Sequence, residues 1–447
     1  MNEPFSFDPR SPLQKGKACF NCRRRKTKCD AAQPICGPCS RFKASLGDCQ
    51  YPSRDEKRSL AEVYEDRISQ CETRIAELER ASPPQKLTSS ILNELTKNFL
   101  ENSADCFGFF LDRRTLPRIQ ELSPALADVL HLCAVHLSAD SHIASHEPAF
   151  LEAALRSQGN QPTSPLLHRI QSSVLLAYYF LHNARLVEGG YHAGVAVALA
   201  VGGSLHCLRN PRVESQEDVA AFWSVMNLNN CWAGHLSNWP AGLQIYTPWP
   251  GATVGVPEQF LAGLPDNANS CAAWRAKAGV LSERTSRLVS QYSQAFDLRV
   301  EAEVTTLDAR IDAFKAALPP VQSKAMMVVH MLAHVCTIQL HTSSLAANMD
   351  SLSPLWGRNK ALAAARGVVD VLANVDVPRL GAVDPVLAIL WSSTCLVLIR
   401  ELGHAKSSRS QHQTNCVVES FKVVIAAMQI CAAGSRVMGM SIPRRLV

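Results

Sequence analysis

Charged residues are scarce in this chain. They make up 19% of its 447 residues, against roughly 25% in an average soluble domain, while hydrophobic residues reach 47%. That balance excludes a disordered polymer, which cannot bury enough apolar surface to order itself. Long unbroken apolar runs are rare as well, and a membrane-crossing helix needs about 18 or more apolar residues in succession. The uncharged stretch from Gly189 to Leu208 is interrupted by His192, His206 and several glycines, and the apolar run Val386–Ile399 is short. Both read as buried helices, so no membrane partner is expected. The opening MNEPFSFDPRSPLQ carries acids and prolines where a secretory leader needs an apolar core. A soluble, intracellular protein whose thiols stay reduced is the expectation.

Catalytic signatures are missing too. No G-x-S-x-G elbow, Walker loop or G-x-G-x-x-G turn occurs. His330-x3-His334 puts two histidines on one helical face near Cys336 and His341, but Met331 stands where a metalloprotease has Glu. Within the apolar stretch Met326–Leu340 these histidines read as core residues, as do His142 and His146. The chain is not expected to be an enzyme.

What is there is unevenly placed. Residues 1–58 hold 13 Lys or Arg against 6 Asp or Glu, a net of +7, and the remaining residues hold 32 against 33, a net of −1. The excess positive charge therefore sits in the first eighth of the chain, as a basic head on a neutral body, and a polyanion is the expected partner of that head.

The cysteines cluster in the same place. Six of the 16 fall within 31 residues, as Cys19-x2-Cys22-x6-Cys29 and Cys36-x2-Cys39-x9-Cys49. A C-x2-C pair at the start of a short helix can put both sulfurs on one metal. Zinc prefers thiolate and takes four tetrahedral ligands. Two zincs need eight ligand positions, and six thiolates fill eight only if two of them bridge, so a binuclear cluster is the simplest arrangement. A disulfide framework would require an oxidising compartment that nothing in the sequence supports. Six thiolates and two Zn2+ sum to −2, which leaves the loaded head at about +5.

These residues resemble the fungal binuclear zinc-cluster transcription factors. The resemblance rests on Cys19-Phe-Asn-Cys22-Arg-Arg-Arg-Lys-Thr-Lys-Cys29-Asp30 and Pro34-Ile-Cys36-Gly-Pro-Cys39, where Arg23, Arg25, Lys26, Lys28 and Asp30 match the family pattern. The gap Cys39-x9-Cys49 is at the long end for that family. The resemblance implies Cys19 and Cys36 as the bridging thiolates, a cis peptide before Pro34, and double-stranded DNA as the partner. It further implies that Lys26, with Arg25 beside it, reads the bases of a CGG triplet. Arg23 and Lys28 would hold phosphates. Arg and Lys serve both ends, neutralising phosphate for affinity and donating to guanine O6 and N7 for sequence choice. Phe20, a lone aromatic, is expected to pack inside the cluster rather than stack on bases.

After a linker over 52–58, Ser59-Leu-Ala-Glu62 has the capping-box pattern that opens a helix. Ala61, Tyr64, Ile68, Cys71, Ile75 and Leu78 follow the 3-4 spacing of a coiled-coil seam. Arg67 would then face Glu72, and Arg74 would face Glu79, across a parallel pair. That self-complementary pattern predicts a homodimer, and an amphipathic helix docked on its own domain is the alternative. Ser82-Pro83-Pro84 ends it. From about residue 91 the periodicity is helical throughout, as in Val300, Val304, Leu307, Ile311, Phe314 and Leu318. Leu166–Leu186 and Tyr191–Leu208 read as a helix pair turning at Gly189-Gly190.

The expected order is a tail over 1–16, a zinc-cluster domain over 17–51, a coil over 59–81, a linker over 82–90 and an all-α body over 91–440. The fold class is mostly α. The stretches SVLLAYYFLHNARLVEGGYHAGVAVALAV, FWSVMNLNNCWAGHLSNWP and TPWP also resemble, more weakly, the regulatory region of the same fungal family. That likeness implies a nuclear regulator that works with the transcription machinery and admits a small-molecule effector. Two other classes compete with this reading: an enzyme whose body turns over a small molecule, and a cluster that contacts protein or RNA.

Overall fold

The structure is a computed structural model. It describes residues 18–42, 49–51, 65–74, 87–112, 122–159, 164–209, 216–232, 234, 239–240, 242–252, 254–291, 298–342 and 354–443. It divides into two compact units, Met1–Lys86 and Leu87–Val447. Every regular element among the described residues is helical.

The first unit holds α1 (Phe20–Arg25), α2 (Gly37–Arg41) and an exposed helix α3 over residues 65–74. Of the seam positions, Ile68 and Cys71 lie on α3, and both are exposed, Ile68 at 56%. Tyr64, Ile75 and Leu78 lie outside the described residues.

The second unit is built from α4 (Ser89–Asn102), α5 (Pro124–His136), α6 (Ser141–Ala144), α7 (Glu147–Gln158), α8 (Leu166–His182), α9 (Leu186–Gly202), α10 (Gln216–Cys231), α11 (Pro257–Leu261), α12 (Cys271–Gln291), α13 (Leu298–Ala317), α14 (Lys324–Thr342), α15 (Pro354–Ala373), α16 (Val386–Ser407), α17 (Gln411–Ala432) and α18 (Arg436–Ser441). Thr88 caps α4, its hydroxyl accepting from Ile91 N, so helix begins two residues inside the stretch read as linker. One continuous apolar core runs from Phe99 to Met438. The stripe on α13 faces it as its spacing predicts: Val304, Leu307, Ile311 and Phe314 are all buried.

One reading needs correction. The α8–α9 turn falls at residues 183–185, where Ala184 takes φ 60°, and Gly189 and Gly190 lie inside α9. A Cβ at Gly189 would stand 2.9 Å from Leu181 Cδ2. This glycine therefore permits close helix approach rather than making a turn. The apolar run Val386–Ile399 lies within α16, which carries helix on through Arg400 and Glu401 to Ser407. By length and composition alone α14, α16 and α17 could each cross a membrane; 72%, 56% and 33% of their apolar windows are buried in the body.

The TPWP loop is anchored by its own residues. Trp223 Nε1 donates to the Pro248 carbonyl at 2.6 Å, and the Trp223 and Trp249 rings lie 4.7 Å apart. Lys277, 4% exposed, donates to Asp266 at 2.6 Å and to the Ala268 carbonyl at 2.8 Å, with Trp274, Phe260 and Trp249 around its ammonium. A buried ammonium is tolerable only when paired and hydrogen-bonded in this way.

Candidate metal centre and nucleic-acid interface

In the head, two similar half-motifs face one another. Cys19 and Cys36 both sit in extended backbone at the N-caps of α1 and α2. Each C-x2-C spacing therefore brings a cap sulfur and the sulfur three residues on to one side of its helix. Among the described residues of this unit, the six predicted ligands Cys19, Cys22, Cys29, Cys36, Cys39 and Cys49 form one buried cluster, with Ala18, Ile35 and Tyr51 packed against it. None of the six forms a disulfide.

Sulfur separations test whether a metal fits. Cys19 lies 3.8 Å from Cys36 and 3.7 Å from Cys39, and Cys22 lies 3.6 Å from Cys36 and 3.9 Å from Cys39. A tetrahedron with Zn–S bonds of about 2.3 Å has an S···S edge of about 3.8 Å. Disulfide sulfurs would stand about 2.05 Å apart. The thiols are thus spaced for a metal between them and not for one another. Cys29 closes on Cys36 as part of a second group of potential ligands, and the Cys36 N–H donates to Cys49 Sγ at 3.3 Å.

Burial pushes the Cys19 thiol up to about 12 and raises Cys36 as well. At Cys29 and Cys39 burial also opposes ionisation, but hydrogen bonds to the sulfur outweigh it and hold both below the usual thiol range. A divalent ion bound here takes its ligands as thiolates, and so offsets the burial that opposes their ionisation.

Around the sulfurs the backbone is tied by specific contacts. Asp30 accepts from Gly37 N at 2.9 Å and from Ala32 N at 3.3 Å, and the Tyr51 hydroxyl donates to the Ala32 carbonyl at 2.8 Å. The Gln33–Pro34 peptide is cis, as the resemblance implies.

α1 ends inside the basic run. Lys26 takes the left-handed conformation at φ 51°, and its N–H returns to the Arg23 carbonyl at 3.1 Å. Arg23, Arg24 and Arg25 occupy the last turn, where cations suit the negative end of the helix dipole. Residues 23–28 are all exposed. The predicted Arg23, Arg25, Lys26 and Lys28 therefore lie on one short segment pinned at both ends by buried cysteines.

Phe20 is 43% exposed, against the expectation that it packs inside. Four close sulfurs leave no room there for a ring, and the smaller Asn21, 5% exposed, enters against Cys39. Phe42 also escaped the sequence reading. At the C-cap of α2, and 59% exposed, its ring lies 5.3 Å below the Arg25 guanidinium and braces it. The only sequence signal for either residue was a polar side chain between paired cysteines and an apolar one in a basic loop.

In the body, His146 and His341 are buried and His330 and His334 half-buried, whereas His142 is exposed at the start of α6, against the expectation that it belongs to the core. His330 Nε2 meets the Pro319 carbonyl at 2.8 Å, and buried His341 meets Asp308 at 2.9 Å. Among the described residues, the groups of three or more potential metal ligands are confined to the cysteine head.

This is a thiolate-walled metal centre carrying an exposed cationic segment. Residues 17–58 match the fungal Zn(2)-Cys(6) binuclear cluster domain. The chain carries that domain, and such a domain binds two zinc ions. Similar proteins include a C6 finger domain transcription factor of Aspergillus fumigatus, 55% identical over 38 residues, 7% of this chain and 5% of the relative. A Notoamide biosynthesis cluster transcriptional coactivator of Aspergillus versicolor is 40% identical over 63 residues, 14% of this chain and 11% of its own. An uncharacterized transcriptional regulatory protein of Saccharomyces cerevisiae is 28% identical over 101 residues, covering 23% and 13%. The likeness thus spans about an eighth or less of these relatives' lengths. No solved structure matches the chain. The relatives are named for transcription, in keeping with the expectation of a non-enzyme.

Proposed function

We propose that the protein is a nuclear transcription regulator that binds specific sequences in double-stranded DNA at RNA polymerase II promoters, working with the transcription machinery. The observation that carries this reading is the segment Arg23–Lys28, exposed along its whole length and free of acids, on a helix fixed by the cysteine cluster. In the scheme, Cys19, Cys22, Cys29, Cys36, Cys39 and Cys49 hold two Zn2+, with Cys19 and Cys36 shared between them. The zincs fold the head and fix where α1 points. Lys26 and Arg25 read a CGG-like triplet, and Arg23 and Lys28 hold phosphates. The stiff left-handed cap at Lys26 and the ring under Arg25 support this division, because preorganised side chains lose less entropy on docking.

Pairing of two heads supplies the second half-site. Ile68 and Cys71 on α3 are exposed among the described residues, which favours a seam completed by a second copy. Tyr64, Ile75 and Leu78 extend that seam in the sequence.

Selection of the zinc-loaded full-length chain against a randomised duplex library tests the reading. Enrichment of two CGG-type triplets at one fixed gap is the expected result. A single enriched triplet would discard the dimer, and no enrichment over random duplex would discard the DNA reader. On the selected duplex, Lys26→Ala costs about 1–3 kcal/mol and relaxes the triplet preference, whereas Lys28→Ala weakens all duplexes alike and flattens the salt dependence. Equal losses for both variants on selected and random duplex would overturn the assignment of Lys26.

A further inference from the structure

Asn21 sits between the two cysteines of the first pair, yet its side chain serves the second. Its amide nitrogen lies 3.5 Å from Cys39 Sγ, inside a head where it is 5% exposed. Its carbonyl oxygen is equally buried and has no hydrogen-bond partner. Leaving a buried carbonyl unpaired is costly, and an apolar side chain of the same shape would avoid that cost. Something at this position must therefore require the N–H. The reverse orientation of the amide would aim oxygen lone pairs at the lone pairs of a thiolate, so the N–H toward sulfur is the orientation that chemistry demands.

We propose that Asn21 is a positioning residue of the zinc cluster, which orients the Cys39 thiolate and slows its departure from zinc. The inference rests on the two-zinc reading of the six cysteines. A donor hydrogen bond fixes the direction of the sulfur lone pairs and draws electron density from a metal-bound sulfur, which lowers its reactivity toward electrophiles. Zinc leaves a thiolate site when a ligand is captured, so this bond acts on the step that opens the cluster. It also joins the halves mechanically. Asn21 belongs to α1 and Cys39 to α2, and Cys39 stands 3.7 Å from Cys19 and 3.9 Å from Cys22. Loss of the bond loosens one corner of a sulfur framework whose other corners stay in place. Hydrogen-bond partners of metal ligands are typically worth 10–100-fold in metal affinity.

The test is zinc release from the full-length protein into a chromogenic chelator, with the order of cysteine alkylation followed by peptide mass spectrometry. Asn21→Leu keeps the shape and removes the donor. It is expected to release one zinc about 10–100-fold faster than the wild type, with Cys39 becoming the first cysteine alkylated and the second zinc following more slowly. Asn21→Asp places a carboxylate against the thiolate and is expected to be the fastest of the series, while Asn21→Ala, which cannot clash, reports the donor alone should the leucine variant fail to fold. Wild-type release rates and wild-type alkylation order in the alanine and aspartate variants would overturn the proposal. A wild-type protein that holds fewer than two zincs would overturn the cluster itself, and this inference with it. Loss of duplex binding in a variant with unchanged zinc release counts against the role as well, since it places Asn21 in DNA contact instead.

Discussion

Stripping zinc from the full-length protein with a strong chelator unfolds the head and abolishes duplex binding, while most of the helical signal survives. Among the described residues, the core the head folds around is six cysteine side chains, with Ala18, Ile35 and Tyr51 alongside. A unit this small rarely stands on apolar burial alone. Structural zinc supplies about 10–16 kcal/mol in small zinc peptides, which exceeds the whole stability of many domains. Without metal, nothing bonds the six sulfurs to one another across the two half-motifs. The second unit has its own continuous core and no dependence on those sulfurs. Far-UV ellipticity should therefore fall only by the share of α1 and α2, while the six head cysteines become open to alkylation. A head that keeps duplex binding and protected thiols under chelation would contradict the assignment.

Acid is expected to be the second large lever, this time on the body. Burial holds His182 down to about 3, with the charge of His136 adding to the effect, and holds His192 down to about 4. His334 is also held to about 4 by burial, assisted by Lys315 and His330. Each side chain stays neutral in the folded protein at pH values where the unfolded chain, near 6.5, has taken up a proton. Proton uptake then favours unfolding, so stability is full above about pH 6.5 and falls as the pH drops toward 4. At 1.36 kcal/mol per pH unit and group, each histidine costs about 3 kcal/mol at pH 4.5, and the three together about 8. Depressed carboxyls push the same way at lower pH, notably Glu147, which accepts from His136 and Tyr179, and Asp308, which is paired with His341 and Lys360. A total of that size rivals the stability of a typical domain. Denaturant melts between pH 8 and 4.5 should show the midpoint falling steeply below pH 6.5. His182→Gln, His192→Gln and His334→Gln should each remove about a third of the slope. A midpoint level down to pH 4.5 would mean that these rings are hydrated in solution.

Legibility in the sequence followed the range over which each feature is decided. The cysteine head was readable because ligand type and spacing are local, and two sets of C-x2-C with a returning third Cys leave few geometries for zinc. The α13 stripe was readable for a similar reason, since Val304 to Phe314 needs only one helical period to face the core. Gly189-Gly190 misled because a glycine pair serves a turn or a close approach equally well, and Leu181, eight residues earlier, decides between them. Phe20 was misplaced because the packing of sulfur, and not hydrophobicity, sets what enters the cluster, and Asn21 is the residue that does. The chain His182–His136–Glu147–Tyr179 was out of reach, since it joins residues up to 46 positions apart.

The packed indoles behind the TPWP loop make the body its own optical gauge. Trp223 and Trp249 have ring centroids 4.7 Å apart and planes tilted by 30°, close enough for their electronic transitions to couple and to give a paired circular dichroism band of opposite signs. That band exists only while the loop holds Trp249 against α10 and Lys277 stays lodged among the rings. Its decay would time the release of this one loop, separately from the melting of the surrounding helices and without any attached dye.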